Sequence, residues 1–231
     1  MRFTFVFPHL WESGVRGKYA PFRAFGHTPS YLSWWFGDYF ASSARGFFRA
    51  GTVKGTITIG GSPASGVVVS VEGLPNESRK SKISNIESER AVIDQRDKKF
   101  IPHVLPVRVG TRVNFPNIDD VWHNVFSTSE AKKFDLGLYP PGNDRNVTFD
   151  KPGVVRILCN VHPHMEAYVV VKEHPYFALS DTRGNYRPDE VPVGKFRLKF
   201  WQPELGTKVE PFNMVRGGEV LSVNMNLKRM K

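Results

Sequence analysis

Four residues of this 231-residue chain have the chemistry to hold one soft metal ion: His123, Cys159, His162 and Met165. The single cysteine lies in Leu158-Cys159-Asn160-Val161-His162-Pro163-His164-Met165, a Cys-x2-His-x2-Met spacing. The other histidine sits upstream in Trp122-His123-Asn124-Val125-Phe126-Ser127. One thiolate, two imidazoles and a thioether are the donors of a type 1 copper centre, a trigonal two-histidine, one-cysteine set with a weak axial methionine. A tight loop closing two strands points three nearby residues at one ion, and the fourth then arrives from a neighbouring strand. Each residue also has a plainer reading, as a small buried hydrophobe for the cysteine and as packing for the others. Other chemistries fit the same residues. A copper storage, delivery or sensing site uses the same donors. A zinc-stabilised sandwich takes Cys159, His123, His162 and His164 as tetrahedral ligands and leaves Met165 without a role. A thiol enzyme activates Cys159 through His162, but no orienting group or oxyanion hole accompanies the pair.

The elements that must position these residues read as β structure from residue 51 onward. Val53–Ile59 roughly alternates, Gly60-Gly61-Ser62-Pro63 turns, and Val67–Val71 follows as a buried strand, so the three predict a hairpin. Residues 74–90 are polar and charged and read as a linker or exposed loop. Short strands then recur at steps of about ten residues, as an all-β sandwich requires. They are Ala91–Asp94, Val104–Val109, Arg112–Phe115, Asn124–Ser127, Arg145–Phe149, Val154–Cys159 and Ala167–Val171. Beyond Pro175, Phe177–Ser180, the alternating Lys195–Trp201 and Glu219–Leu227 read as further strands. No long amphipathic helix is expected after residue 50.

Composition bounds the rest. Hydrophobic residues make up 40% and charged residues 23%, values of a globular chain. No run approaches the roughly 18 apolar residues of a membrane-spanning helix. One cysteine excludes an internal disulfide, a four-cysteine zinc site and a thiolate-ligated iron–sulfur cluster. The net charge of +10 comes from scattered Lys and Arg, with no basic stripe interleaved with aromatics. Nucleic acid is therefore not the expected partner. The charge suits acidic protein partners or anionic surfaces. Residues 1–50 hold 15 of the 30 aromatic residues and six Lys/Arg against two acids. They lack the uninterrupted apolar core of a signal peptide. They read as an irregular extension, disordered, targeting or a mis-assigned start. Any membrane association would run through them.

The segment around the four candidate ligands resembles the cupredoxin family. Its Cys-x2-His-Pro-x-Met loop resembles amicyanin, and more nearly the plastocyanin-like proteins labelled methylamine-utilisation proteins. The resemblance covers roughly residues 91–172. It rests on Phe100-Ile101-Pro102-His103-Val104, Val109–Asn117, His123–Ser127, Phe134–Tyr139, Phe149-Asp150-Lys151-Pro152-Gly153 and Cys159–Pro163. It implies a Greek-key sandwich over residues 91–173 and a blue-copper electron carrier, not an enzyme, with one type 1 copper. In that family's pattern His123 is the strand-borne ligand and Cys159 gives the short thiolate bond. His162 is the loop ligand nearest solvent and the electron portal, and Met165 is axial. Asn124 hydrogen-bonds the loop bearing Cys159, and Pro163 stiffens that loop and removes an amide donor. His164 departs from the pattern, because amicyanin-like loops carry a bulkier hydrophobe there. It is an alternative fourth ligand to Met165, or an exposed histidine that merely titrates. His103 reads as an outer hydrogen-bond donor, a secondary metal ligand or a satisfied histidine.

The resemblance further implies a periplasmic or other extracytoplasmic place, a monomer, and a redox protein partner docking over an apolar patch near His162. The partner would be a donor or acceptor such as a cytochrome or a dehydrogenase. Residues 51–75 and 174–231 resemble the carboxypeptidase regulatory-like, transthyretin-like sandwich. The matching pieces are Val53-Lys54-Gly55-Thr56-Ile57 with Gly66–Val69, Asp181-x2-Gly184-x-Tyr186, and Val191-Pro192-x-Gly194-Lys195-Phe196-x-Leu198. The expected organisation is a copper domain inserted into this small host sandwich. Trp201 and Tyr186 are candidates to stack on a sugar ring, or core aromatics.

Overall fold

A computed structural model describes residues 50–75 and 90–228, all within the unit Gly46–Lys231. Residues 1–49, 76–89 and 229–231 lie outside the described residues. The aromatic extension and most of the charged stretch 74–90 therefore fall there. The described chain is all-β. Its first strands are β1 (Thr52–Ile59), β2 (Ser62–Pro63) and β3 (Val68–Glu72). The middle run holds β4 (Arg90–Val92), β5 (Asp94–Arg96), β6 (Lys99–Ile101), β7 (Val104–Arg108) and β8 (Arg112–Pro116). It continues with β9 (His123–Ser127), β10 (Phe134–Tyr139), β11 (Asp144–Thr148), β12 (Gly153–Leu158) and β13 (Glu166–Lys172). The last are β14 (Phe177–Leu179), β15 (Asn185–Tyr186), β16 (Gly194–Gln202), β17 (Gly206–Met214), β18 (Val220–Ser222) and β19 (Met225–Leu227).

The middle run forms a sandwich. One sheet has the order β10-β9-β12-β13-β7 and the other β11-β8-β4, with the hairpin β5-β6 beside them. Residues alternate between the core and the outside along these strands. On β12, Val155 and Ile157 are buried while Val154 and Arg156 are exposed. Val113 and Phe115 of β8 share one core with Val125, Val155, Ile157 and Val169 of the larger sheet. Burying each such side chain contributes about 1.5–3 kcal/mol. The pairing of β9 with β12 is antiparallel, with Leu158 opposite Phe126. Antiparallel neighbours place the start of one strand beside the end of the next, so His123 at the start of β9 and Cys159 just past β12 come to the same edge.

The flanking strands build a second set of sheets, β14-β3-β16-β17 and β15-β1-β18, with β2 and β19 also on β1. Their core holds Val53, Ile57, Val69, Val71, Leu198 and Phe200. Val68, Val104 and Val170 form a third cluster, with Tyr168 and Trp201 packed against it. It links the flanking strands to the middle run.

Two expectations need correction. The hairpin predicted over 51–73 does not form between β1 and β3: β1 turns back only as far as Ser62–Pro63, and β3 pairs with β14 and β16 instead. The reason is burial. Val68–Val71 are buried on both faces, which suits a strand between two neighbours rather than one arm of an edge hairpin. The strand predicted over Glu219–Leu227 is broken at Val223-Asn224 into β18 and β19, both parallel to β1. The break brings the Val223 carbonyl against Gly55, where a Cβ would collide with it, and lets Asn224 accept from the Thr56 amide at 3.0 Å.

Candidate metal centre

His123 opens β9 and is fully buried. Cys159 follows β12 and is 4% exposed, and it is a free thiol. His162 lies three residues on, half-buried in the turn that joins β12 to β13. The amide of Met165 donates to the His162 carbonyl at 2.9 Å, closing that turn on itself. The ligand atoms of His123, Cys159 and His162 lie within 4.8 Å of one another. Nδ1 of His123 stands 3.1 Å from Nδ1 of His162, and each of these nitrogens stands 4.0 Å from Sγ of Cys159.

These separations have a shape. Take bonds of about 2.1 Å to imidazole nitrogen and about 2.3 Å to thiolate sulfur, the usual values for a zinc-sized ion. The nitrogen pair then subtends about 95° and each nitrogen–sulfur pair about 130°, together close to the 360° of three-coordinate planar geometry. A tetrahedral set with the same bonds would draw each nitrogen to about 3.6 Å from the sulfur. An ion at these bond lengths would lie close to the plane of the three donors, nearer to it than in a tetrahedral site.

Met165 is 1% exposed and packs in the same core cluster as Cys159. Its neighbour His164 is exposed, with its ring 6.1 Å from that of His162. His164 is not in the group of converging ligand atoms among the described residues. It lines an open pocket of about 370 Å³ together with Met165, Phe100 and His103. His103 is held elsewhere: Nδ1 lies 3.1 Å from the Glu166 carbonyl, and the ring meets Tyr168 edge-on at 5.5 Å. It ties the turn after β6 to the start of β13. Pro163 is exposed in the loop, where it offers no amide donor.

Asn124 does not make the bond expected of it. Its side-chain amide donates to Asp135 on β10 at 2.7 Å, not to the loop bearing Cys159, and its Oδ1 has no partner. The reason is a bulge in β10 between Asp135 and Leu138, where Gly137 adopts φ 70° and donates its amide to Asp135 at 2.9 Å. The bulge turns the Asp135 carboxylate toward the start of β9, and Asn124 meets it there.

The residue that sequence reasoning missed is Asp119. Its Oδ2 accepts from Nε2 of His123 at 2.9 Å and from the Lys98 amide at 2.7 Å, and its Oδ1 accepts from the Asp120 amide at 3.0 Å. Desolvation works to raise its pKa, but the Lys98 amide, His123 and the Asp120 amide outweigh it and hold the carboxyl at about 2. The available signal was Asn117-Ile118-Asp119-Asp120, turn-forming residues carrying two acids just before His123. The pKa of His162 is lowered, first by burial and then by His123, Lys98 and His164, with Asp119 opposing them.

The two sugar-stacking candidates are engaged in packing. The Tyr186 hydroxyl donates to the Val223 carbonyl at 2.6 Å and its ring meets Phe200 edge-on, while Trp201 packs against Tyr168.

No family model matches the chain, and no curated protein matches it. Solved structures do. A copper-containing nitrite reductase (NirK) from Thermus scotoductus SA-01 is 25% identical over 36% of this chain and 22% of its own, with a TM-score of 0.35. A purple cupredoxin from Nitrosopumilus maritimus is 26% identical over 36% of this chain and 99% of its own, with a TM-score of 0.33. An oxidised amicyanin variant is 23% identical over 38% of this chain and 88% of its own, with a TM-score of 0.35. The match thus spans about a fifth of the nitrite reductase and nearly all of the purple cupredoxin.

Proposed function

We propose that this chain is a type 1 copper protein that carries single electrons between redox partners outside the cytoplasm. The observation that carries the reading is the convergence of Nδ1 of His123, Nδ1 of His162 and Sγ of Cys159, 3.1 Å apart between the nitrogens and 4.0 Å from each nitrogen to the sulfur, around a space that fits a three-coordinate ion. A thiolate and two imidazoles in a trigonal set are donors suited to copper in both oxidation states, and copper bound there supplies a one-electron couple. The neighbouring residues fit the group. His123 at the start of β9 and Cys159 just past the end of β12 are buried, so water is kept away from both. Met165 is the axial ligand, with His164 as the alternative. In this reading all positions are filled by protein and none is left for a substrate, so the chain is not an enzyme.

His162 is the least buried of the three converging residues, and it is the electron portal. Ile118, Trp122 and Val161 on the loops next to His123 and His162, and Ile101 at the end of β6 beside His164 and Met165, are between 44% and 52% exposed. We assign this apolar rim to brief contact with a redox protein, a cytochrome or a dehydrogenase, of the small size usual for such encounters. The chain acts as a monomer in the periplasm, and the flanking strands form a transthyretin-like host sandwich.

The test is the visible spectrum of the full chain after Cu(II) loading, with Cys159→Ser as control. An intense thiolate-to-copper band that vanishes in the control supports the reading. A colourless chain that takes zinc instead overturns it.

A further inference from the structure

The bond from His123 to Asp119 adds an outer residue to this centre. A neutral imidazole carries one proton, on Nδ1 or on Nε2, and only the bare nitrogen can bind a metal. At His123 the choice is fixed from outside the ring. Oδ2 of Asp119 lies 2.9 Å from Nε2 and can only accept, so Nε2 carries the proton and Nδ1 is left bare. That bare Nδ1 is the atom facing Sγ of Cys159 and Nδ1 of His162. With Nδ1 of His123 bare, the 3.1 Å contact in the metal-free chain calls for a proton on Nδ1 of His162.

Asp119 is itself held with little freedom. Its side chain is 9% exposed, and three donors reach its two oxygens. Its own amide donates to Oδ1 of Asn117 at 3.2 Å, and Asn117 in turn donates to the Val121 and Tyr139 carbonyls. The Lys98 amide comes from the two-residue turn between β5 and β6, in which Asp97 and Lys98 have φ of 52° and 54°. Two consecutive left-handed residues are the geometry of a tight hairpin turn normally given to Asn-Gly, and holding it without glycine costs conformational energy. The turn spends that energy to aim one N–H at the carboxylate.

We propose that Asp119 is a positioning residue: clamped by the Lys98 turn, it fixes the His123 tautomer and places a negative charge behind the imidazole, favouring the more positive oxidation state of the bound metal. The carboxylate–histidine–metal arrangement is a general one in which the outer carboxylate orients the ring and raises its basicity. The tautomer part stands on the geometry alone. The part about oxidation state rests on the copper reading.

The experiment is built to separate the two. Imidazole nitrogen chemical shifts of the metal-free chain at about pH 8, above the ordinary histidine pKa, report the tautomer without copper. The natural chain is expected to show the Nε2–H form at His123, and an Nδ1–H form there overturns the proposal. Asp119→Ala is expected to give a mixture, and an unchanged tautomer in that variant overturns it too. After copper loading, Asp119→Ala is expected to bind Cu(II) about 10–100-fold more weakly, the usual effect of losing such a partner. Asp119→Asn keeps an acceptor but loses the charge. It is expected to retain the tautomer and shift the Cu(II)/Cu(I) affinity ratio about tenfold toward Cu(I), a rise of about 59 mV. Lys98→Gly keeps the amide and is expected to match the natural chain in tautomer. If Asp119→Ala does not fold, the natural chain's tautomer and the potential of Asp119→Asn decide, and an unchanged potential removes the charge effect. A natural chain that shows the Nε2–H form but no thiolate–copper band refutes the copper reading and leaves the tautomer assignment standing.

Discussion

A pair of substitutions at Met165 separates its packing in the core from the axial donation proposed for it. The residue is 1% exposed in the main core cluster, and it closes the loop that carries Cys159 and His162. Met165→Ala removes three buried heavy atoms. Such truncations cost about 2–5 kcal/mol, according to how far the site can collapse or fill. Here the vacated space adjoins the open pocket of about 370 Å³ lined by Phe100, His103 and His164, so water can enter. The expected loss therefore lies at the lower end, about 2–3 kcal/mol. Met165→Leu conserves volume and is expected to cost less than about 1.5 kcal/mol. Urea unfolding of the metal-free chain measures both. The same variants are then loaded with Cu(II). Met165→Leu, stable but without a thioether, is expected to shift the thiolate–copper band and raise the reduction potential, because a weak axial donor has been lost. A leucine variant with unchanged band and potential refutes the axial assignment. An alanine variant as stable as the natural chain refutes the packing argument beneath it.

Two further expectations concern the scaffold. The folded-state pKa of His162 lies below its ordinary value, so between the two the unfolded chain binds more protons. The metal-free chain should therefore lose stability as pH falls through about 6.5, with the loss levelling off below the pKa of folded His162. Unfolding free energies across a pH series test this, and His162→Asn should remove that part of the slope. A stability that rises over this window contradicts the assignment. Gly55→Ala puts a methyl group into the Val223 carbonyl and should cost about 1–3 kcal/mol, read as a lower midpoint of thermal unfolding. An unchanged midpoint would mean that β18 and β19 do not hold their register on β1.

What could be read from the sequence was local. The recurrence of short apolar runs at about ten residues gave the strands over Asn124–Ser127 and Val154–Cys159. Because Cys159, His162 and Met165 share one short loop, their proximity needed no tertiary information. Bringing His123 to them did need it, and there the family resemblance supplied what spacing could not. The pairing of β3 was misread because five adjacent buried residues look the same in a hairpin arm and in an enclosed strand. Only the partners distinguish them, and these lie more than a hundred residues away at Phe177–Leu179 and Gly194–Gln202. The partner of Asn124 was missed because it depends on a one-residue bulge at Gly137, which shifts register without leaving a pattern. Asp119 escaped notice because a loop acid before a histidine is commonplace. Its meaning comes from the Lys98 amide, delivered by a turn that carries none of the usual glycines.

Under the proposed function the site carries electrons rather than merely holding metal. Voltammetry of the copper-loaded full chain, with metal content assayed before and after repeated cycles, tests it most directly. A reversible one-electron couple, one copper per chain throughout and loss of the couple in Cys159→Ser are expected. Copper released on reduction, or a chain that binds copper without a reversible couple, would contradict it and leave a metal-handling protein in its place.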